Sequence, residues 1–65
     1  MDELPKISLK AARVNAGLTQ EQAAEVIGVS VKTIQNWENN TTSPTIEQAR
    51  LIADAYEFSY ENIIF

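Results

Sequence analysis

The sequence predicts an all-α fold of five short helices, and three observations carry that prediction. Capping residues recur at helix-start spacing, glycines stand where helices must stop, and apolar residues repeat at i, i+3 and i+4. No segment alternates with period two over a useful length, so the sequence carries no strand signal. Internal repeats and low-complexity stretches are also missing.

The first helix is expected from about Ser8 to Ala16, with Leu9, Ala12, Arg13 and Ala16 on one face and Gly17 as its stop. Thr19 opens the second, with Gln22 at the capping-box position, and Gly28 ends it. Ser30 caps the third, which carries Ile34 and Trp37 on one face. The stretch Asn39-Asn40-Thr41-Thr42-Ser43-Pro44 has turn composition. Thr45 and Gln48 repeat the capping box and open a fourth helix through about Tyr56. Ile46, Ala49, Ile52, Ala53 and Tyr56 are expected on its inward face. Ser59 caps a last short turn that runs into Ile63-Ile64-Phe65.

Bulk properties bound what such a chain does. Its 65 residues make one domain, with an ordered core over 8–64 and an N-terminal arm over 1–6, burying only roughly 60% of the unfolded surface. With no Cys and no His, neither disulfides nor the commonest zinc sites stabilise it, and no metal or cofactor is expected. No apolar run reaches the length of a membrane span, and Met1 to Lys6 lacks the basic start and apolar stretch of a signal peptide. A cytoplasmic protein is therefore expected. Catalysis has little support without His, Cys, a glycine-rich phosphate loop or an H-E-x-x-H pattern. Five Lys and Arg against nine Asp and Glu give a net charge of −4, the reverse of the basic surface common in nucleic-acid binders. At a docking face, however, the local field matters more than the total charge.

Gln20 to Trp37 is the most informative stretch. Two helices of about two turns each are joined only by Gly28-Val29-Ser30, too short a link for an antiparallel pair. Such a Gly-containing turn between helices at a steep angle defines a helix-turn-helix. Ala24 supplies a small residue at the crossing, and Gly28 supplies a left-handed turn.

Arg13-x-x-x-Gly17-Leu18-Thr19-Gln20, the central Gly28-Val29-Ser30, Ile34-x-x-Trp37-Glu38 and Pro44 occur in an order that resembles the phage repressor/Cro-type helix-turn-helix family, over about Ser8 to Ile64. The resemblance implies sequence-specific binding of double-stranded DNA by a transcriptional regulator. Gln20 would touch a phosphate and brace the recognition helix, and Ser30 would bind backbone phosphate or a base edge. Val31, Lys32 and Asn36 would face the floor of the major groove, with Thr33 and Gln35 adding polar contacts. Asn suits adenine, Lys suits guanine, and Val suits a thymine methyl. Arg13 and Glu38 would form a partly buried ion pair between the first and third helices.

Three features depart from the family pattern. Ala23 replaces a larger aliphatic residue, Asn40 replaces a frequent glycine, and Asn39 to Pro44 holds no Lys or Arg. Phosphate contacts there fall to backbone N–H groups and to Asn39, Asn40, Thr41 and Thr42. The bland readings are that Gln20 and Ser30 only start helices, and that Lys32 and Asn36 are solvated surface.

Recognition helices of this kind usually work in pairs on half-sites, so a homodimer on a palindromic operator is expected. Tyr60, Ile63, Ile64 and Phe65 are the candidate dimer surface, unless they merely close the monomer core. The competing function is a protein-interaction module on the same fold, such as an antitoxin or an adaptor domain, which the acidic balance favours slightly.

Overall fold

The computed structural model describes residues 6–65. Residues 1–5, most of the expected N-terminal arm, lie outside the described residues. Four α-helices follow one another: α1 (Leu9–Asn15), α2 (Gln20–Ile27), α3 (Val31–Glu38) and α4 (Ile46–Tyr56). Two short strands flank them, β1 (Ile7–Ser8) and β2 (Ile63–Ile64), and a single 3-10 turn, Tyr60–Asn62, precedes β2.

The helix starts are fixed by side chains that satisfy otherwise orphaned N–H groups. Ser8 Oγ accepts from the Ala11 N–H at 3.1 Å and Ser30 Oγ from the Thr33 N–H at 3.1 Å. Thr19 and Thr45 form full capping boxes. Their hydroxyls accept from the Gln22 and Gln48 N–H groups, and the two glutamine Oε1 atoms accept from the threonine N–H groups, at 2.9–3.1 Å. Gly28 ends α2 in the left-handed region at φ 89°. A Cβ there meets nothing within 4 Å, so the turn requires glycine for its backbone angle and not for space.

The helices share one core. Leu9 and Ala12 of α1, Ala23, Ala24 and Ile27 of α2, Ile34 and Trp37 of α3, and Ile52, Ala53 and Tyr56 of α4 pack together. Ala23 and Ala24 are both buried, so the small residues at the α2–α3 crossing allow close approach.

Three expectations are corrected. The fifth helix is the 3-10 turn Tyr60–Asn62, and Ser59 makes no side-chain cap bond to it. The chain then extends into β2, which pairs in parallel with β1, Ile7 opposite Ile63 and Ser8 opposite Ile64. Two residues are too few to show an alternating pattern, and their pairing joins the two ends of the described chain, so no local signal announces it. The third correction is Ile46, which is 68% exposed. It stands one turn before Ala49, where the buried stripe of α4 begins, and overshoots the core.

Helix α4 ends without glycine. Glu57 takes the left-handed cap at φ 55°, ψ 46°, and the Phe58 N–H reaches back to the Ala53 carbonyl at 3.1 Å. A residue with a Cβ is strained in this region by about 1–2 kcal/mol, and a carboxylate sits poorly at a helix C-terminus. Glu57→Gly is therefore expected to stabilise the fold by about 1 kcal/mol, raising the midpoint of thermal unfolding by about 4–8 °C in a domain of this size. A calorimetric midpoint that falls or stays fixed would contradict this reading of the cap.

Candidate nucleic-acid interface

Helices α2 and α3 are held at their crossing by apolar contact and by a polar network. Arg13, on α1, is buried. Its Nε donates to Glu38 Oε2 at 2.6 Å and one terminal nitrogen reaches Glu38 Oε1 at 3.4 Å, a fork-like pairing. Its other terminal nitrogen donates to the Leu18 carbonyl at 2.8 Å. The two charged side chains are only 9% and 5% exposed.

Gln20 extends the network toward the outer surface where α2 and α3 meet. Its Nε2 donates to Glu38 Oε1 at 3.1 Å, and its Oε1 accepts from Gln35 Nε2 at 3.4 Å. The first residue of α2 is thereby tied to the middle and the end of α3, with one amide hydrogen left over. Among the described residues no buried side-chain nitrogen or oxygen lacks a hydrogen-bond partner.

With Ile34 and Trp37 inward and Gln35 and Glu38 held by the network, the remaining face of α3 carries Lys32, exposed, with Val31, Thr33 and Asn36 partly exposed. Lys32 and Asn36 are one turn apart, on one face. Ser30 and Thr33 share a hydroxyl–hydroxyl bond of 3.0 Å at the start of the helix, which orders both side chains. The one cation of α3 is thus on its outer face, whereas Arg13 is neutralised inside.

The loop after α3 differs from expectation in one respect. Four of its backbone N–H groups are occupied by α3 itself: Asn39 donates to Gln35, Asn40 to Trp37, and Thr41 and Thr42 both to Asn36, at 2.8–3.4 Å. Asn40 holds φ 61° to close this turn, the left-handed position that asparagine tolerates better than most residues. The side chains of Asn39, Asn40, Thr41 and Thr42 are exposed and are the polar groups this stretch offers to solvent.

The C-terminal residues divide. Ile63 is 4% exposed and belongs to the protomer's own core, whereas Ile64 is 56% and Tyr60 43% exposed. Phe65 packs against the core and lies tilted against Tyr60, with ring centres 5.4 Å apart. None of the four lies on α2 or α3. Among the described residues no cluster of three or more Asp, Glu, His or Cys is placed to hold a metal ion, and no helix is long and apolar enough to cross a membrane.

Two short helices at a glycine turn, with a solvent-facing stripe on the second, invite comparison with known domains. The family model for the helix-turn-helix, an XRE-like domain found in phage repressor/Cro-type proteins, matches residues 9–62. The chain belongs to the XRE-like helix-turn-helix family. This places it, at family level, among DNA-binding transcription regulators. No curated protein matches the chain significantly. In this helix-turn-helix, Arg13–Glu38 sets the position of Gln20, and Gln20 in turn touches α3.

One surface escaped sequence reasoning. Ile46, Arg50, Ala53, Asp54, Phe58 and Tyr60 line an open groove beside α4. A signal for it existed in Ile46, Arg50 and Asp54, spaced four apart along one stripe of α4.

Removing one member of the buried pair strands the other's charge, at about 3–5 kcal/mol. Arg13→Met is expected to lose most of the folding stability in urea titrations. Arg13→Met/Glu38→Leu should recover much of it, because two apolar groups fill the site without a stranded charge. A single variant within 1 kcal/mol of the parent would show that the pair is solvated.

Tyr56 supplies a pH test. Burial, and secondarily the Glu38 carboxylate against a smaller opposing effect of Arg13, pushes its phenol from 10.0 up to about 12. The unfolded chain therefore releases this proton first, and stability present below pH 10 is lost as pH rises toward about 12. Relative to Tyr56→Phe, the parent should lose about 2 kcal/mol between pH 9 and about pH 11.5. Parallel pH profiles for the two proteins would refute the assignment.

Proposed function

We propose that this chain is a sequence-specific double-stranded DNA-binding transcription regulator of the repressor/Cro kind. It lays α3 in the major groove and acts as a homodimer on a palindromic operator. The observation that carries the reading is the network Arg13–Glu38–Gln20–Gln35, which ties α3 to α1 and α2 while leaving Lys32 exposed and Val31 and Asn36 partly exposed. A helix offered to a groove must present a short row of base-reading side chains at fixed height and rotation.

In this reading Asn36 and Lys32 read base edges, as an adenine and a guanine contact, and Val31 meets a thymine methyl. Gln20 uses its remaining amide hydrogen on a phosphate beside the positive end of α2. Ser30 and Thr33 act as a pair at the start of α3, and Asn39, Asn40 and Thr41 contact the backbone through side chains. Its place of action is the bacterial or phage-infected cytoplasm, on chromosomal DNA. No cofactor or catalytic residue is assigned.

The net charge of −4 favours a second reading, a protein-interaction module such as an antitoxin or adaptor domain. The two readings separate in an NMR titration with duplexes from a selected random pool. DNA recognition predicts shift changes concentrated on Gln20 and Ser30–Asn36, and changes elsewhere or none would favour the interaction module.

Asn36→Ala is expected to weaken the selected site by about 1–3 kcal/mol and to relax one base position. Lys32→Ala should cost less discrimination, because lysine lacks a planar fork. With so few free cations, the log–log salt slope of the paired form should be no steeper than about −6. A steeper slope, or an Asn36→Ala loss equal on all sequences, would contradict these roles.

A further inference from the structure

Gln35 has an end that the polar network does not use. Its Nε2 donates to Gln20 Oε1 at 3.4 Å, whereas its own Oε1 accepts no hydrogen bond from any described residue. The side chain is only partly exposed, yet no buried side-chain oxygen among the described residues lacks a partner. Solvent therefore reaches that oxygen. Residue 35 also lies three and four places after Lys32 and Val31, and so shares their face of α3. Half of this amide is held from inside the domain and half is offered outside it.

Glu38 decides which half is which. An ionised carboxylate only accepts hydrogen bonds, so the end of Gln20 that meets Glu38 Oε1 at 3.1 Å is its NH2. Reversing that amide would set its carbonyl oxygen against a carboxylate only 5% exposed, where little water screens the repulsion. The far end of Gln20 is therefore an oxygen, and an oxygen takes only a donor from its neighbour. Gln35 must turn its nitrogen inward and keep its oxygen outward. One buried charge thus fixes the order of two successive amides, and the second of them reaches the surface.

We propose that Gln35 is a specificity-determining residue that reads adenine in the major groove, and that Glu38 is the positioning residue that sets its order. The assignment rests on the DNA reading above and deepens it, by adding a base reader whose polarity is set from inside the fold. With one hydrogen given to Gln20, Gln35 offers one N–H and one oxygen. Adenine alone presents their complement, the N7 acceptor beside the N6 donor. Guanine presents two acceptors, N7 and O6, and would bring O6 against the Gln35 oxygen. Thymine offers one acceptor and a methyl group, and cytosine offers only its N4 donor. A free glutamine turns over to suit guanine. Gln35 cannot do so while Glu38 is charged.

The test is selection from a random duplex pool, run on the whole chain and on three variants whose folding is verified by circular dichroism. The parent is expected to select a position at which adenine is preferred over guanine about tenfold or more. Gln35→Ala should flatten that position to within about threefold and leave the position read by Asn36 unchanged. Gln20→Met keeps the Arg13–Glu38 pair whole but frees Gln35, so adenine, guanine and thymine should be accepted there nearly equally. Glu38→Gln goes further. Arg13 claims the new amide's oxygen, its NH2 then faces Gln20, and both following amides turn over. Gln35 now gives both hydrogens outward, and the position should switch from adenine to guanine. If Glu38→Gln does not fold, Gln20→Met decides alone. An adenine preference that survives Gln35→Ala or Gln20→Met, or a loss spread equally over all positions, would overturn the proposal and leave DNA recognition standing. A parent that selects no sequence would overturn both.

Discussion

The ion pair between Arg13 and Glu38 is the interaction on which the rest of the domain's geometry depends. It joins α1 to the last residue of α3, and its guanidinium also holds the Leu18 carbonyl just before α2 begins. One side chain thereby references three helices to one another. Desolvation cancels much of such a pair's attraction, so its main effect is on geometry rather than net stability. Apolar packing alone tolerates small rotations of a two-turn helix. A forked guanidinium–carboxylate contact tolerates them far less, because both oxygens must stay in plane with their donors.

The same pair governs the polar side chains that lie closer to the outer surface. Glu38 Oε1 receives Gln20, and Gln20 receives Gln35. This chain of amides leads from a buried charge to the surface where α2 and α3 meet. Because the glutamine amide is fixed at both ends, its free hydrogen has a defined direction. Side-chain caps do comparable work at the helix starts, where the Thr19 and Ser30 hydroxyls set the first turns of α2 and α3. Rigid placement of few groups suits a surface that has few cations to offer.

Much of this was legible in the sequence because its causes are local. Thr19 with Gln22 and Thr45 with Gln48 fix helix starts within four residues. Gly17 and Gly28 fix stops by a backbone angle, and Ile34 with Trp37 fixes the inward face of α3. The failures are equally physical. The β1–β2 pairing joins Ile7 to Ile63 across nearly the whole described chain, and two-residue strands carry no period. Ile46 fits the apolar spacing of α4, but spacing describes rotation about the helix and says nothing of where the core ends along it. The backbone donors of Asn39 to Thr42 were assigned outward by composition, whereas turning the chain out of α3 consumes them.

The acidic balance takes on a specific meaning once the charges have places. Of the five cations, Arg13 is spent inside the protein, Lys32 is alone on α3, and Arg50 lies on the far stripe of α4. The remaining two, Lys6 before β1 and Lys10 in the first turn of α1, are exposed. On the proposed reading a single protomer therefore grips phosphate weakly, and duplex recognition draws on base contacts and on doubling. Two copies double the contact set while paying for rigid-body association only once if they are already joined. A protein poor in basic residues gains more from pairing than a basic one does, because non-specific attraction cannot hold its monomer on the duplex. The scarcity of Lys and Arg, which first argued against nucleic acid, thus argues, on the proposed reading, for two copies on the duplex rather than one.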